Sequence, residues 1–276
     1  MVRTNSAPSL ASRRALLALA PAAIFWRTQP ASPATNLYDE LLARLDAPQL
    51  AEPAVAPSAT KPPPLPGWLA GSWRCRQTLR AFVTPQGIQF IGVAGRPLSE
   101  AQASAAETRS KIGSPVELEL RYLPSGDAAI EDRTFNTRSR IEAFAGRSVV
   151  ATSRPCDETG QAIACVAVEY KGPANQQTLV NSARLGLGDG TLKPFALSEF
   201  TRVVFSRRLQ PGDTRNFPPI ITDQETLLQL TPSADGTFAT GRLRLVSYLQ
   251  PLNELYFAAG RRAVAISDYS LELQRL

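Results

Sequence analysis

The chain has 276 residues, of which 43% are hydrophobic, and a formal charge of +6 at pH 7, which suits one sizeable core behind a leader. Residues 1–34 contain four arginines and no acid, so removing those four charges leaves about +2 on the rest. That is too little for the basic stripe of a dedicated nucleic-acid binder. Histidine is absent, which excludes Ser-His-Asp and Cys-His catalysis and imidazole metal sites.

Residues 1–34 are predicted to be an export signal of the twin-arginine type. Arg13 and Arg14 stand directly before an apolar run, 15–26, that is too short to cross a bilayer as a stable helix. Small residues at 32–34 suit cleavage by a signal peptidase. The alternative is a disordered basic N-terminus that happens to contain two adjacent arginines.

Residues 35–66 are predicted to hold a short helix and a linker. Apolar residues recur at helical spacing over 37–45, and Thr35 or Asn36 can cap the helix. We expect this helix to plug or cover one end of the barrel, with docking on the domain or on a partner as the alternative. The following stretch, 48–66, is rich in proline and alanine and favours an extended linker.

Strand periodicity begins at Gly67 and continues to the C-terminus. From Trp73 to Val83 one face is mainly apolar, while the other carries arginines, the pattern of a half-buried antiparallel strand. The predicted second strand is 88–93, the segment 97–114 is a helical or mobile excursion, and 135–145 is a helix ended by Gly146. Further strands are predicted at 116–122, 129–133, 149–153, 163–170, 178–185, 197–206, 225–230, 238–249 and 263–273. The fold class is therefore mainly β, an antiparallel barrel over 67–276 with short helical excursions.

The tripeptide Gly71-Ser72-Trp73 at the start of the first strand is similar to the signature of lipocalins and the wider calycins. A larger set of residues resembles an uncharacterised lipocalin-like family of cyanobacteria and plastids, whose proteins are associated with the thylakoid lumen. That set is Trp68-Leu69-x-Gly71-x-Trp73, Thr84-Pro85-x-Gly87-x-x-Phe90-Ile91-Gly92, Asp132-Arg133-x-Phe135-Asn136 and Ser267-Asp268-Tyr269-Ser270-Leu271-Glu272-Leu273.

This resemblance implies a lipocalin-like barrel in which Gly71 and Trp73 are structural residues at one end. It also implies an arginine packed across Trp73, for which Arg275 and Arg262 are both candidates. The family brings no established activity. It implies the thylakoid lumen as the destination of the exported protein, with the periplasm as the alternative.

Three cysteines fit an exported protein. Cys156 and Cys165 flank a turn within one predicted hairpin, so they can form a disulfide in an oxidising compartment, or remain ordinary free thiols. Cys75 is left over and is expected to be a small buried residue near Trp73.

Candidate ligand contacts come from charges inside apolar segments. Arg133, with Arg138 and Arg140, can receive an anionic group or can simply flank a helix in solvent. Glu199 paired with Arg242 or Arg244 would form a polar floor to a ligand cavity, although strand alternation also allows these arginines to face water.

Two further patterns resemble functional sites but do not predict them. The glycine-rich stretch 186–190 is followed within four residues by Lys193-Pro194, so it predicts a turn between strands and not a nucleotide loop. Glu117 and Glu119 share one strand face, predicted to be the solvated outer one. No catalytic residue, metal or cofactor is predicted.

Three functions follow from these expectations. The first is a non-enzymatic accessory or assembly factor for a photosynthetic membrane complex, which predicts a barrel filled by Phe90, Phe200, Phe205 and Phe238. The second is a lumenal carrier of a pigment, lipid or quinone, which predicts a hollow, apolar barrel. The third, an enzyme acting on an isoprenoid or lipid substrate, is disfavoured because histidine is absent and no acid–base pair stands out.

Overall fold

The computed structural model describes residues 36–53, 61–91, 97–156, 162–208 and 218–276. Thr35–Leu276 form one compact unit. Arg13, Arg14 and the rest of the predicted export signal lie outside the described residues. Of the helices within the described ranges, none is both long enough and apolar enough to cross a membrane.

The described chain forms one curled sheet of eleven strands in which every neighbouring pair is antiparallel. The strands are β1 (Leu65–Pro66), β2 (Gly71–Val83), β3 (Pro115–Ser125), β4 (Ala128–Glu131), β5 (Val150–Pro155), β6 (Ala164–Tyr170), β7 (Ala174–Leu187), β8 (Phe195–Arg207), β9 (Ile220–Pro232), β10 (Phe238–Tyr248) and β11 (Ala265–Arg275). Their order across the sheet is β1-β4-β3-β2-β11-β10-β9-β8-β7-β6-β5. The prediction of a mainly β, antiparallel barrel-type fold with short helices is confirmed.

Four α-helices lie within the described residues: α1 (Leu37–Asp46), α2 (Leu98–Ser110), α3 (Arg133–Ala145) and α4 (Tyr256–Ala259). Asn36 caps α1 by accepting a hydrogen bond from the Asp39 N–H group. Gly146 ends α3 in the left-handed conformation, as the sequence predicts.

The predicted strand at 88–93 is wrong. Ile88–Ile91 form a 3₁₀ turn, and Gly92 and Val93 lie outside the described residues. The Gly113 N–H group donates to the carbonyl of Leu79 in β2. The segment after α2 therefore occupies the edge of β2 to which a second hairpin strand would have to pair.

Helix α3 fills the seam between the two arms of the curled sheet. On one side, the Asn136 side chain accepts from the Arg121 N–H group at 2.7 Å and donates to the Arg121 carbonyl at 3.2 Å, as a neighbouring strand would. On the other side, the Ser153 hydroxyl of β5 donates to the Thr134 carbonyl at 2.9 Å. The helix thereby satisfies backbone groups at the open edge of β3.

Helix α1 lies on the outer face of β7, β8 and β9, where Leu41 and Leu45 pack against Phe200 and Leu227. The expectation that this helix covers one end of the barrel is therefore wrong, and the alternative that it docks on the domain is confirmed. One end of the barrel is closed by Trp73, as described below. The outer face of β7, β8 and β9 carries apolar side chains, among them Phe200 and Leu227, which α1 buries.

Trp73 closes one end of the barrel interior. Its side chain is fully buried, its indole N–H donates to the Leu69 carbonyl at 2.7 Å, and Trp68 packs edge-on at 6.1 Å. The guanidinium carbon of Arg275 lies 4.5 Å from the Trp73 ring centre, so Arg275, and not Arg262, is the arginine over the tryptophan.

Gly71 permits this arrangement. Its φ of +122° is one that residues with a side chain rarely adopt, and a Cβ there would lie 2.9 Å from Nη1 of Arg275. That nitrogen donates to the Ala70 carbonyl at 2.6 Å. The Gly-x-Trp tripeptide and the penultimate arginine thus form one packed unit at the closed end.

Candidate ligand-binding cavity

The interior of the curled sheet holds a cavity of about 280 Å³. Its wall combines side chains from β1 to β4, β6 to β11 and α3, and almost half of its lining residues are aliphatic. The aliphatic wall residues are Leu65, Leu120, Ile141, Val166, Val180, Leu197, Val203, Leu228, Leu230, Leu243, Leu245, Leu271 and Leu273. Phe144 of α3 also lines the cavity and is 49% exposed, so the cavity wall reaches the protein surface beside this helix.

Two arginines and two glutamates form an ionic cluster in one wall of the cavity. Arg133 donates to both carboxylate oxygens of Glu199, at 2.5 and 3.1 Å, and lies 3.3 Å from Glu131. Arg140 donates to Glu131 at 3.1 Å. Because each charge has an opposite charge beside it, the cluster is formally neutral.

Glu131, Arg133 and Arg140 keep their charges over a wide pH range. Burial raises the pKa of Glu131, but the guanidinium groups of Arg133 and Arg140 outweigh this effect and bring the pKa to about 2. Burial opposes the charged form of Arg133, yet Glu131 and Glu199 raise its pKa overall. Glu131 is thus a carboxylate at neutral pH and not a general acid, so the cluster is suited to positioning and binding.

The start of α3 places Arg133 in this wall. Asp132 caps the helix by accepting from the Phe135 N–H group at 3.1 Å. The Arg121 guanidinium lies 3.9 Å from the Phe135 ring centre, and Asn136 bonds the Arg121 backbone. The segment Asp132-Arg133-x-Phe135-Asn136 therefore fixes the helix against β3 and directs Arg133 to Glu199.

The predicted pairing of Glu199 with Arg242 or Arg244 is wrong. Both arginines lie on the outer face of β10: Arg242 pairs with Asp46 at 2.6 Å, and Arg244 pairs with Asp268 at 2.6 Å. Arg244 also donates to the Ala47 carbonyl just after α1. Glu199 lies on the opposite, inner face of β8 and takes its partner from α3 instead.

Most of the other residues singled out in the sequence lie away from the cavity. Arg138 is exposed and pairs with Glu142 on the same helix, so of the three clustered arginines only Arg133 and Arg140 line the cavity. Glu117 and Glu119 lie opposite Arg76 and Arg74 on the outer face of β3 and β2. The glycine-rich stretch 186–190 ends β7 and turns into β8, as predicted.

The four phenylalanines expected to fill the barrel do not line the cavity. Phe200 is buried on the outer face beneath α1. Phe205 and Phe238 are each 39% exposed, and Phe90 is half-buried in the 3₁₀ turn. The interior space is left to smaller aliphatic side chains.

Cys156 and Cys165 form a disulfide between the ends of β5 and β6. Cys75 is a free, buried thiol in the cavity wall, and burial raises its pKa to about 11. Among the residues that the structure describes, no group of three or more His, Cys, Asp or Glu side chains is placed to hold a metal ion.

Sequence reasoning missed several wall residues. Glu131 falls within the predicted strand 129–133 and Tyr122 ends the predicted strand 116–122, and the sequence pattern gives neither residue a role in a site. Gln77 had a signal, because it occurs on the face of β2 that also carries Trp73 and Cys75. A polar residue on an otherwise apolar strand face is the pattern expected of a group that faces an internal cavity.

A curled antiparallel sheet around an apolar cavity defines a barrel-type protein with an internal binding space. The chain belongs to the family described as Domain of unknown function (DUF6816), which matches residues 64–276. No curated protein and no solved structure matches the chain.

Proposed function

We propose that this protein is a non-enzymatic carrier that binds a small, mainly apolar molecule inside its barrel. The observation that carries the proposal is the cavity of about 280 Å³ with its aliphatic wall. Pockets for small molecules combine a hydrophobic lining with a few placed polar groups, and this wall has both.

The size of the cavity limits the ligand. An engineered apolar cavity of about 150 Å³ binds benzene, so a cavity of about 280 Å³ matches a molecule nearly twice as large, such as a substituted bicyclic ring. Among pigments, lipids and quinones, a quinone-type ring or a short acyl or isoprenoid chain fits best. A whole carotenoid or tetrapyrrole would need the barrel to widen.

Two matched variants on β8 test the proposal. Val203 lines the cavity, and the adjacent Val204 lies on the other face of the strand. Val203→Phe should fill part of the cavity and abolish binding of naphthalene, followed by its fluorescence, whereas Val204→Phe should retain it. Mass spectrometry of extracts from the natively purified protein should find a small apolar molecule that Val203→Phe lacks.

Thermal unfolding of both variants provides the control, because an overpacked core also loses stability. The proposal fails if the natively purified protein carries no small molecule and naphthalene binds neither the unaltered protein nor Val204→Phe. It also fails if a folded Val203→Phe protein binds naphthalene as tightly as Val204→Phe.

A second candidate function is that of an accessory or assembly factor docking on a photosynthetic membrane complex. Its support is the loop between β10 and β11, in which Leu252 is 90% and Phe257 is 85% exposed. Apolar side chains that form a contiguous exposed patch are typical of interaction sites. Co-purification of membrane-complex subunits should be lost in a Leu252→Ser, Phe257→Ser protein if this loop docks, and unchanged co-purification would contradict it.

We also propose that the protein is exported, to the thylakoid lumen or, alternatively, to the periplasm. The twin arginine at 13–14 and the Cys156–Cys165 disulfide support an oxidising destination. A reporter fused to residues 1–40 should be exported in a cell with a functional twin-arginine pathway. Replacing Arg13 and Arg14 by lysine should block this export, and a reporter that stays cytoplasmic with the unaltered segment would refute it.

A further inference from the structure

We infer that the ligand of the barrel cavity carries an uncharged, oxygen-bearing head, a carbonyl or hydroxyl group on an apolar ring, and not a carboxylate or sulfonate. This inference rests on the proposed carrier function and adds the chemical class of the ligand. It depends on the charge balance of the cavity wall and on the wall's neutral polar groups.

The charge balance disfavours an anionic head. Both carboxylate oxygens of Glu199 accept hydrogen bonds from Arg133. Glu131 forms ion pairs with both Arg133 and Arg140. A bound carboxylate would add a negative charge to a cluster that is already neutral, next to two existing carboxylates. In a mainly apolar cavity, such an uncompensated charge is costly.

The neutral polar groups favour an uncharged head. Gln77 is only 4% exposed and lines the cavity, and no described residue hydrogen-bonds its side-chain amide. The Gln77 amide lines the cavity, so a ligand that enters the cavity can become its hydrogen-bond partner. The Gln77 amide can donate to a carbonyl oxygen and accept from a hydroxyl group.

Tyr122 and Gln224 offer further contacts of the same kind. Tyr122 is 3% exposed and lines the cavity, and the part of the chain that the structure describes offers its hydroxyl no hydrogen-bond partner. Burial raises the pKa of Tyr122, so its hydroxyl keeps its proton and can donate to a carbonyl oxygen. Gln224 of β9 faces the same cavity with an amide that lacks a partner among the described side chains.

The apolar part of the ligand would pack on the remaining wall. Leu271 of β11 lies directly opposite Gln77 of β2. Leu228 of β9 and Leu245 of β10 also line the cavity. A ring with one or two carbonyl or hydroxyl groups can thus satisfy the polar side chains and bury its carbon skeleton at the same time.

Three probes of one ring system test the inference by calorimetric titration: naphthalene, 2-naphthol and 2-naphthoate. We expect the unaltered protein to bind 2-naphthol roughly tenfold more tightly than naphthalene, since one or two hydrogen bonds to buried groups give an effect of that size. We expect 2-naphthoate to bind at least tenfold more weakly than 2-naphthol.

Variants locate the effect. Gln77→Leu should weaken 2-naphthol binding roughly fivefold and leave naphthalene unchanged, whereas Gln274→Leu, on the exposed face of β11, should change neither. Glu199→Gln removes one negative charge from the cluster and should improve 2-naphthoate binding relative to 2-naphthol by tenfold or more. Thermal unfolding shows whether each variant is folded before it is titrated.

The outcomes separate this inference from the carrier function. Binding of 2-naphthoate as tight as that of 2-naphthol, or equal binding of naphthalene and 2-naphthol with no effect of Gln77→Leu, overturns the inference and leaves the carrier function standing. Failure of all three probes to bind overturns the inference, and it overturns the carrier function as well if the natively purified protein carries no small molecule.

Discussion

Replacing Arg44 by methionine should destabilise the protein more than any change to its exposed ion pairs. Arg44 of α1 donates to both oxygens of Glu225, at 2.7 and 2.6 Å, and the Glu225 side chain is fully buried on the outer face of β9. Ser198 and Tyr248 donate to the same carboxylate at 2.8 and 2.9 Å. Methionine keeps an unbranched apolar stem like that of arginine and removes the guanidinium group with its charge and donors.

The expected magnitude follows from burial. Removing one partner of a buried ion pair leaves an uncompensated charge and costs roughly 3–5 kcal/mol. Arg242→Met is the matched control, because the Arg242–Asp46 pair joins the same helix to the same sheet face. Its side chains are 48% and 63% exposed, and such pairs contribute about 0.2–1 kcal/mol.

Urea unfolding followed by circular dichroism measures both free energies of unfolding. A double variant, Arg44→Met with Glu225→Gln, removes the charge and still lets the amide oxygen accept from Ser198 or Tyr248. It should be about 2 kcal/mol more stable than Arg44→Met alone, because the remaining cost is no longer that of a buried charge.

An Arg44→Met protein within about 1 kcal/mol of the unaltered protein would refute this reasoning. The conclusion would then be that water reaches Glu225 or that α1 leaves the sheet readily. Proteolysis between α1 and the barrel distinguishes these cases, because a released helix would expose residues 47–53 to cleavage.

Three further predictions concern the closed end, the ionic cluster and the disulfide. Trp73→Ala should lower the free energy of unfolding by roughly 3–5 kcal/mol, measured by urea unfolding, since it leaves a large void among buried residues; unchanged stability would contradict its place at the closed end. The pKa of Glu131 is lowered from about 4.5 to about 2 in the folded protein, so its contribution, on the order of 3 kcal/mol, is complete above pH 4.5 and lost as the pH falls toward 2. The stability difference between the unaltered protein and Glu131→Gln should therefore shrink between those pH values, and a difference that is constant with pH would be inconsistent with this origin. Mass spectrometry of unreduced peptides spanning 150–170 should find Cys156 linked to Cys165, and two unlinked thiols there would rule the disulfide out.

Local sequence patterns predicted much of the fold because they report on neighbours close in the chain. The alternation over β2 exposes Arg74 and Arg76 and buries Trp73 and Cys75, as observed. The cap at Asn36 and the glycine stop at Gly146 depend on backbone groups within a few residues. Such features can be worked out without knowledge of the remaining chain.

Which face of β8 encloses the interior could not be predicted from the sequence. Leu197, Glu199 and Val203 line the cavity, whereas Phe200 packs beneath α1 on the other face. Because α1 covers that outer face, nearly every residue of the first half of β8 is buried. Hydrophobic alternation then no longer tells the inside of the barrel from its outside.

The partner of Glu199 could not be found from spacing either. Arg133 lies 66 residues earlier and reaches Glu199 only because α3 fills the seam of the curled sheet. Arg242 is nearer than Arg133 to Glu199 in the sequence. However, Arg242 lies on the outer face of β10 and pairs with Asp46 of α1. Long-range pairs of this kind depend on how separate elements pack.

By itself, the sequence determined the strand-rich character of the domain, the helix caps and the cysteine hairpin. Each of these depends on side-chain periodicity or on contacts within one local segment. Only the tertiary structure decided that Arg275 lies over Trp73, that Glu199 pairs with Arg133, and that the interior holds a cavity. The physical reason is that the curvature of the sheet, together with the helices at its seam and on its outer face, determines which strand face encloses the interior.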